Sequence, residues 1–216
     1  EHIELFLEKS GESVLDEIYD FHDKGNRRLA LRPELTAPVM RMYVDKLQME
    51  PKPLKLFYFG NCFRYDRPQK GRYREFLQAG CELIGSNKPE AIAELIALSM
   101  DMLNHIGLKD IELEVGNLKL LSAVFEQLEL TDDQKKLLLP HIDKEEFEDV
   151  EDLLFQWQID EKKTNDLLRI LREKDVDTLF DLIGDKEELS AEINRLQEIM
   201  NLLHDQFSID IAQINL

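Results

Sequence analysis

The sequence predicts an α+β fold, an antiparallel sheet flanked by helices, with an all-helical segment inserted late in the chain. Two strand-like runs, Leu54 to Asp66 and Tyr73 to Ile84, are rich in aromatic and aliphatic residues. Pro68, Gln69, Lys70 and Gly71 separate them as a hairpin loop would. From about Thr131 to His204 strand signals vanish, charge density rises and apolar residues recur every three or four positions, the period of helices. At 216 residues the chain exceeds the roughly 100 to 150 of a common single domain. The expected division is therefore a sheet part over 1–130, a helical insertion over 131–206 and a returning strand over 207–216.

Each element has its own signal. Ser13 to His22 and Arg27 to Arg32 flank Asp23-Lys24-Gly25-Asn26, where Gly and Asn tolerate positive φ, so a β-hairpin is expected whose second strand delivers Glu34. Thr36 to Gln48 places Val39, Met40, Tyr43, Val44 and Leu47 at helical spacing, with Thr36 as N-cap and Pro38 in the first turn. Pro89 to Ile106 is amphipathic through Ile92, Leu95, Ile96, Met100 and Leu103, and Gly107 ends it. Ile111 to Val115 alternates like a half-buried strand, and Leu118 to Leu128 returns to helix. The insertion reads as helices over Thr131–Leu138, Lys144–Phe155, Glu161–Arg172, Val176–Ile183 and Ser190–Gln206, with Thr131 and Ser190 as caps. Phe207 to Ile214 alternates again and reads as a strand rejoining the first sheet.

Composition narrows the functional classes. No run of about 18 apolar residues occurs and Glu1-His2-Ile3-Glu4 is not a basic leader, so neither a membrane span nor a signal peptide is expected, and the cytoplasm is the expected compartment. Cys62 and Cys81 lie on the two hairpin strands without a second pair or a histidine cluster, which predicts reduced structural thiols and no zinc site. The 5 histidines are scattered without ligand spacing. No glycine-rich P-loop or dinucleotide fingerprint is present. The net charge of −18 argues against a nucleic-acid partner, yet it is uneven: Glu1 to Lys88 holds 15 basic against 14 acidic residues, and Pro89 to Leu216 holds 12 against 31. The first part tolerates phosphate; the second repels it.

The hairpin carries Arg64, Arg74, Glu75, Gln78 and Glu82 where a sheet core should be apolar. An unpaired buried ion costs several kcal/mol, so ion pairs or an anionic ligand must compensate them. Three segments in order, Leu31-Arg32-Pro33-Glu34-Leu35-Thr36-Ala37, then Phe63-Arg64-Tyr65-Asp66-Arg67-Pro68-Gln69-Lys70-Gly71-Arg72-Tyr73-Arg74-Glu75-Phe76, then Gln78-Ala79-Gly80-Cys81-Glu82-Leu83-Ile84-Gly85, closely resemble the catalytic core of histidyl-tRNA synthetases, the archaeal type most of all. The resemblance implies a class II synthetase-like sheet with a helical insertion. It also implies a reaction in which L-histidine and ATP give histidyl adenylate and pyrophosphate, before transfer of the histidyl group to tRNA(His) in the cytoplasm by a homodimer. The family continues into a further histidine-binding loop, a final arginine motif and an anticodon-binding domain, so a catalytic-core fragment is expected.

What the resemblance implies for residues is specific. Arg64 would be catalytic, contacting the α-phosphate and the histidine carboxylate, and Arg72 would hold the γ-phosphate. Phe76 would stack on adenine, and Asp66, one methylene shorter than the family's usual Glu, would face the adenine end. Glu34, Thr36 and Gln78 would grip the α-ammonium, and Glu82 would accept from the imidazole N–H. Mg²⁺ would accompany ATP, with no side-chain ligand identified. The chemistry is coherent: the nucleophile belongs to the substrate, and permanent, forked arginine donors suit a phosphorus centre gathering negative charge. A second reading is a non-catalytic paralogue, resembling the histidine-sensing regulatory subunit of ATP phosphoribosyltransferase. The intact Arg64, Arg72 and Arg67-to-Gly71 loop favour the synthetase, because a sensor has no need of phosphate ligands.

Overall fold

The computed structural model describes residues 1–7, 17–67, 69–173, 176–183, 185–210 and 212–214. The chain forms two compact units, Glu1–Asn87 and Lys88–Leu216.

In the first unit, strands β1 (Asp20–His22) and β2 (Arg28–Ala30) form the expected hairpin, in the register Asp20↔Ala30. Its turn is held by one side chain: the Asp23 carboxylate accepts from the backbone N–H of Gly25 and Arg27 and from Arg27 Nε, while Asn26 takes φ 58°. These bonds, those to Arg27 foremost, hold the Asp23 carboxyl below the usual carboxylate range. Residues 13–16 of the predicted strand lie outside the described residues. Helix α1 (Glu4–Leu7) buries Phe6, which packs with Ile3 and Ala30.

Helix α2 (Thr36–Met42) continues as a π-helical turn over Tyr43–Leu47. Thr36 is its first helical residue and not its cap. Leu35 occupies the cap position without a side-chain bond, and Glu34 takes over, its carboxylate accepting from Ala37 N–H at 2.9 and 3.2 Å. The long hairpin follows as β3 (Leu54–Phe63) and β4 (Glu75–Ile84), paired antiparallel from Leu54↔Ile84 to Phe63↔Glu75. The strands end before Asp66 and begin after Tyr73 because, past the Arg64 N–H to Arg74 bond, the Tyr65 N–H turns away to the Glu17 carbonyl at 2.7 Å.

The second unit is helical around one small sheet. Its elements are α3 (Pro89–His105), β5 (Leu113–Val115), α4 (Leu118–Gln127), α5 (Asp132–Asp143), α6 (Phe147–Gln156), α7 (Glu161–Glu173), α8 (Val176–Ile183), α9 (Glu187–Phe207) and β6 (Ala212–Ile214). Thr131 caps α5 in a reciprocal capping box with Gln134. That helix runs on through Pro140 because Leu138 and Ile142 are both buried, and α6 starts late because Glu145 adopts φ 55°. Ser190 lies inside α9, whose cap position is Lys186. One core joins the helices, with Leu120, Leu138, Leu154, Leu167, Ile193 and Leu203 fully buried. Strand β6 pairs parallel with β5, Leu113↔Ala212, so the chain leaving the helices returns to a strand that precedes them. Among the described residues no helix is long and apolar enough to cross a membrane.

Candidate active site

The hairpin register sorts the charged residues by face. Leu56, Tyr58, Gly60 and Cys62 of β3 stand opposite Glu82, Gly80, Gln78 and Phe76 of β4, and alternation sends all of these side chains to one face, which Arg64 continues. Glu75 points to the other face, where Asn61 Nδ2 donates to it at 2.6 Å. Parity thus gathers Arg64, Phe76, Gln78 and Glu82.

At the loop end, Arg64, Asp66, Arg72 and Phe76 line a single pocket of about 450 Å³ with Glu17, Gly71 and Tyr73. The Arg64 guanidinium carbon lies 5.3 Å from the Phe76 ring centroid, a cation–π contact, and Arg64 Nε donates to the Pro33 carbonyl at 2.9 Å. Arg72 reaches Asp66 at 3.4 Å, and Asp66 also accepts from the Arg67 N–H. Arg32 and Arg74 serve the scaffold: Arg32 Nε donates to the Asn61 carbonyl, and Arg74 stacks over Tyr65 at 4.1 Å and donates to the Asp66 carbonyl. Pro68 lies outside the described residues.

Further along the same face, Gln78 and Tyr58 bond to the segment that carries Glu34 and Thr36. Gln78 Oε1 accepts from Leu35 N–H at 2.8 Å and from the Cys62 thiol at 3.4 Å. Both lone pairs of that oxygen are engaged, so what the amide offers outward is its NH₂, and it would take up an ammonium only by giving up one of these partners. Cys62 is fully buried, and burial pushes its thiol up, with Arg32 and Arg64 opposing. Both cysteines are free thiols.

One residue in this group was not singled out from the sequence. The Tyr58 hydroxyl lies 3.2 Å from Thr36 Oγ1, within hydrogen-bond reach. Its pKa is raised, by burial above all and further by the Glu82 and Glu34 carboxylates, against the pull of Thr36. Its ring crosses Gly80 so closely that a Cβ there would lie 2.3 Å from the phenol oxygen. The parity it shares with Arg64 across Gly60 was the available signal; an aromatic in a strand reads first as packing.

Solved structures share the fold. A histidyl-tRNA synthetase from Nostoc sp. PCC 7120 superposes with a TM-score of 0.73 at 20% identity over 100% of this chain and 50% of its own. A structure titled as an ATP phosphoribosyltransferase regulatory subunit/histidyl-tRNA synthetase from Bacillus halodurans reaches 0.81 at 21% identity, covering 93% of this chain and 53% of that one. The architecture is that of the class II aminoacyl-tRNA synthetases, built on an antiparallel sheet. Sequence narrows it: a family model described as Histidyl-tRNA synthetase matches residues 1–215. The histidine–tRNA ligase of Methanococcus aeolicus is 44% identical over 93% of this chain and 45% of its own length, and that of Methanocaldococcus jannaschii 40% identical over 98% and 52%. The chain belongs to the histidyl-tRNA synthetase family and spans about half the length of these curated relatives.

Proposed function

We propose that this chain carries the ATP and histidine subsites of a histidine-activating enzyme that goes on to charge tRNA(His), as a cytoplasmic homodimer when the protein is whole. One observation carries the reading: the four residues assigned to ATP line one pocket, and a hydrogen bond from Arg64 to Pro33 ties that pocket to the loop bearing Glu34 and Thr36. Arg64 stands where the carboxylate of one substrate and the α-phosphate of the other must meet. The carboxylate attacks the α-phosphorus, the bond to the bridging oxygen breaks, and pyrophosphate leaves with that electron pair. No protein nucleophile is needed. Fixed positive charge at Arg64 stabilises the crowded phosphorus, and Arg72 holds the outer phosphates.

Glu34 and Thr36 are the acceptors for the α-ammonium, and Gln78, holding Leu35 through its oxygen, braces that loop and turns its NH₂ outward. Glu82 accepts from the imidazole, since one ring nitrogen donates in any tautomer. The Asp66 carboxylate is engaged by Arg67 and Arg72, a donor set that does not make a magnesium cage. Mg²⁺ would therefore arrive as part of the nucleotide substrate. Segment 131–206 is read as a helical insertion, flanked in sequence by strands β5 and β6. The regulatory-subunit reading, which the Bacillus halodurans title keeps in view, leaves a pocket lined by Arg64 and Arg72 without a task.

Histidine-dependent ATP–pyrophosphate exchange tests the proposal, with Arg64→Ala as control. Exchange that requires histidine and falls by about 2.7 kcal/mol or more of transition-state stabilisation in the variant is expected. Equal turnover in both removes Arg64 from the chemistry. Histidine binding without any ATP binding would favour the sensor.

A further inference from the structure

We infer that His141, Glu146 and Asp149 form a binding site for a divalent transition-metal ion of the zinc class, which ties α5 to α6. The site lies wholly within the second unit and needs neither ATP nor histidine.

Among the described residues, one ring nitrogen and two carboxylate oxygens converge here, all within 4.8 Å of one another. His141 lies in the last turn of α5, Glu146 at the cap position of α6 and Asp149 in its first turn. His141 Nδ1 is 2.8 Å from Glu146 Oε2 and 3.7 Å from Asp149 Oδ2. Zinc bonds to imidazole nitrogen and carboxylate oxygen run to about 2.0–2.2 Å, so tetrahedral neighbours stand about 3.4 Å apart. The two spans from His141 bracket that value, and small side-chain movements would seat the ion.

Ordinary roles leave this convergence unexplained. An acidic residue at a helix start caps it, either from the N-cap itself or by reaching back from the third position. Glu146 makes no side-chain cap bond, and its backbone N–H, the target of such a reach, is taken by the His141 carbonyl at 2.9 Å. An ion pair does not account for it either. Nδ1 carries at most one proton, and a bond to Glu146 uses it, so Asp149 approaches a nitrogen with nothing left to give. Lys144 faces the other oxygen of Glu146, at 4.0 Å. A dication held by the Nδ1 lone pair, with the ring proton on Nε2, satisfies both carboxylates at once.

The donor set selects the metal. An imidazole suits zinc and its neighbours, whereas Mg²⁺ takes oxygen ligands and keeps its waters. The His141 and Asp149 side chains are 34% and 60% exposed, so a fourth position is open to water. His204 shows that proximity alone is not enough: Asp205 and Asp210 lie 2.8 and 3.4 Å from its opposite ring nitrogens, and one ion cannot serve both. One imidazole with two carboxylates carries no paired His or Cys spacing, which is why the sequence predicts no zinc site here.

The test is calorimetric titration of the whole chain with zinc chloride, Mg²⁺ being present throughout, followed by cobalt absorption. One saturable site is expected. His141→Gln and Asp149→Asn should each weaken it by at least about tenfold, and His204→Gln should leave it unchanged. Co²⁺ should give the intense visible bands of a four-coordinate ion on the unaltered chain, and zinc should bleach them, a readout that needs no variant to fold. Absence of a saturable site, zinc binding that survives both His141→Gln and Asp149→Asn, or cobalt bands that persist in His141→Gln would each overturn the inference.

Discussion

Gly80→Ala isolates the contact that shapes the pocket. The added Cβ would stand 2.3 Å from both the terminal ring carbon and the hydroxyl oxygen of Tyr58, and 2.6 Å from a third ring atom, where ordinary contact begins near 3.4 Å. The ring must retreat by about 1 Å, and a hydrogen bond to Thr36 already at 3.2 Å does not survive that stretch. Gly80 is a paired strand residue opposite Tyr58, so alanine suits its backbone and the hairpin persists. The loss falls on that side-chain hydrogen bond, which contributes about 0.5–1.5 kcal/mol net. The assay is histidine titration beside urea unfolding: affinity should fall roughly twofold to tenfold, with the unfolding midpoint moving by no more than that one bond allows. Wild-type histidine affinity in this variant would refute the placement of Tyr58 and the pocket built around it.

Other outcomes follow from the same geometry. Arg72→Ala should weaken ATP roughly tenfold in equilibrium binding and leave histidine alone, while stability changes by less than about 1 kcal/mol, because its bond to Asp66 is exposed and long. Leu203→Ala, at a fully buried position of α9, should cost about 2–5 kcal/mol in urea unfolding, whereas Phe155→Ala, 82% exposed, should stay within about 0.5 kcal/mol. His204 bonds Asp205 and faces Asp210, and both raise its pKa, the Asp205 bond most. The folded state then binds the proton more tightly, so this contribution is complete below the ordinary value of about 6.5 and disappears as pH rises through the raised one. NMR titration should place the His204 midpoint above 6.5, and an Asp205→Asn variant should bring it back down.

Much of this arrangement is legible in the sequence, because period and parity are local facts. The Pro89 helix, the paired runs around the loop and the Thr131 cap follow from spacing and side-chain chemistry, and β-alternation puts Phe76, Gln78 and Glu82 on one face, whereas Arg64 joins them only through the register of the ladder. The departures have local causes of another kind. Thr36 looked like a cap, but the neighbouring Glu34 reaches Ala37 N–H and frees the hydroxyl for Tyr58. The Lys144 helix was drawn too early because a left-handed Glu145 carries no compositional warning. Tyr58 escaped notice because its role depends on a glycine across the ladder, and cross-strand register is absent from a one-dimensional pattern.

The pairing of β5 with β6 bears on the order in which the second unit assembles. Glu114 meets Gln213 across roughly a hundred intervening residues, a long loop to close for three residue pairs. Helices α5 to α8 between them, by contrast, pack on their sequence neighbours, α5 on α6, α6 on α7 and α7 on α8, while α9 packs most on the distant α3. Local contacts form early and distant ones late. The small parallel sheet is therefore a latch that shuts after the helices have condensed, and the backbone amides of 212–214 should trade hydrogen for deuterium well before those of the helix core.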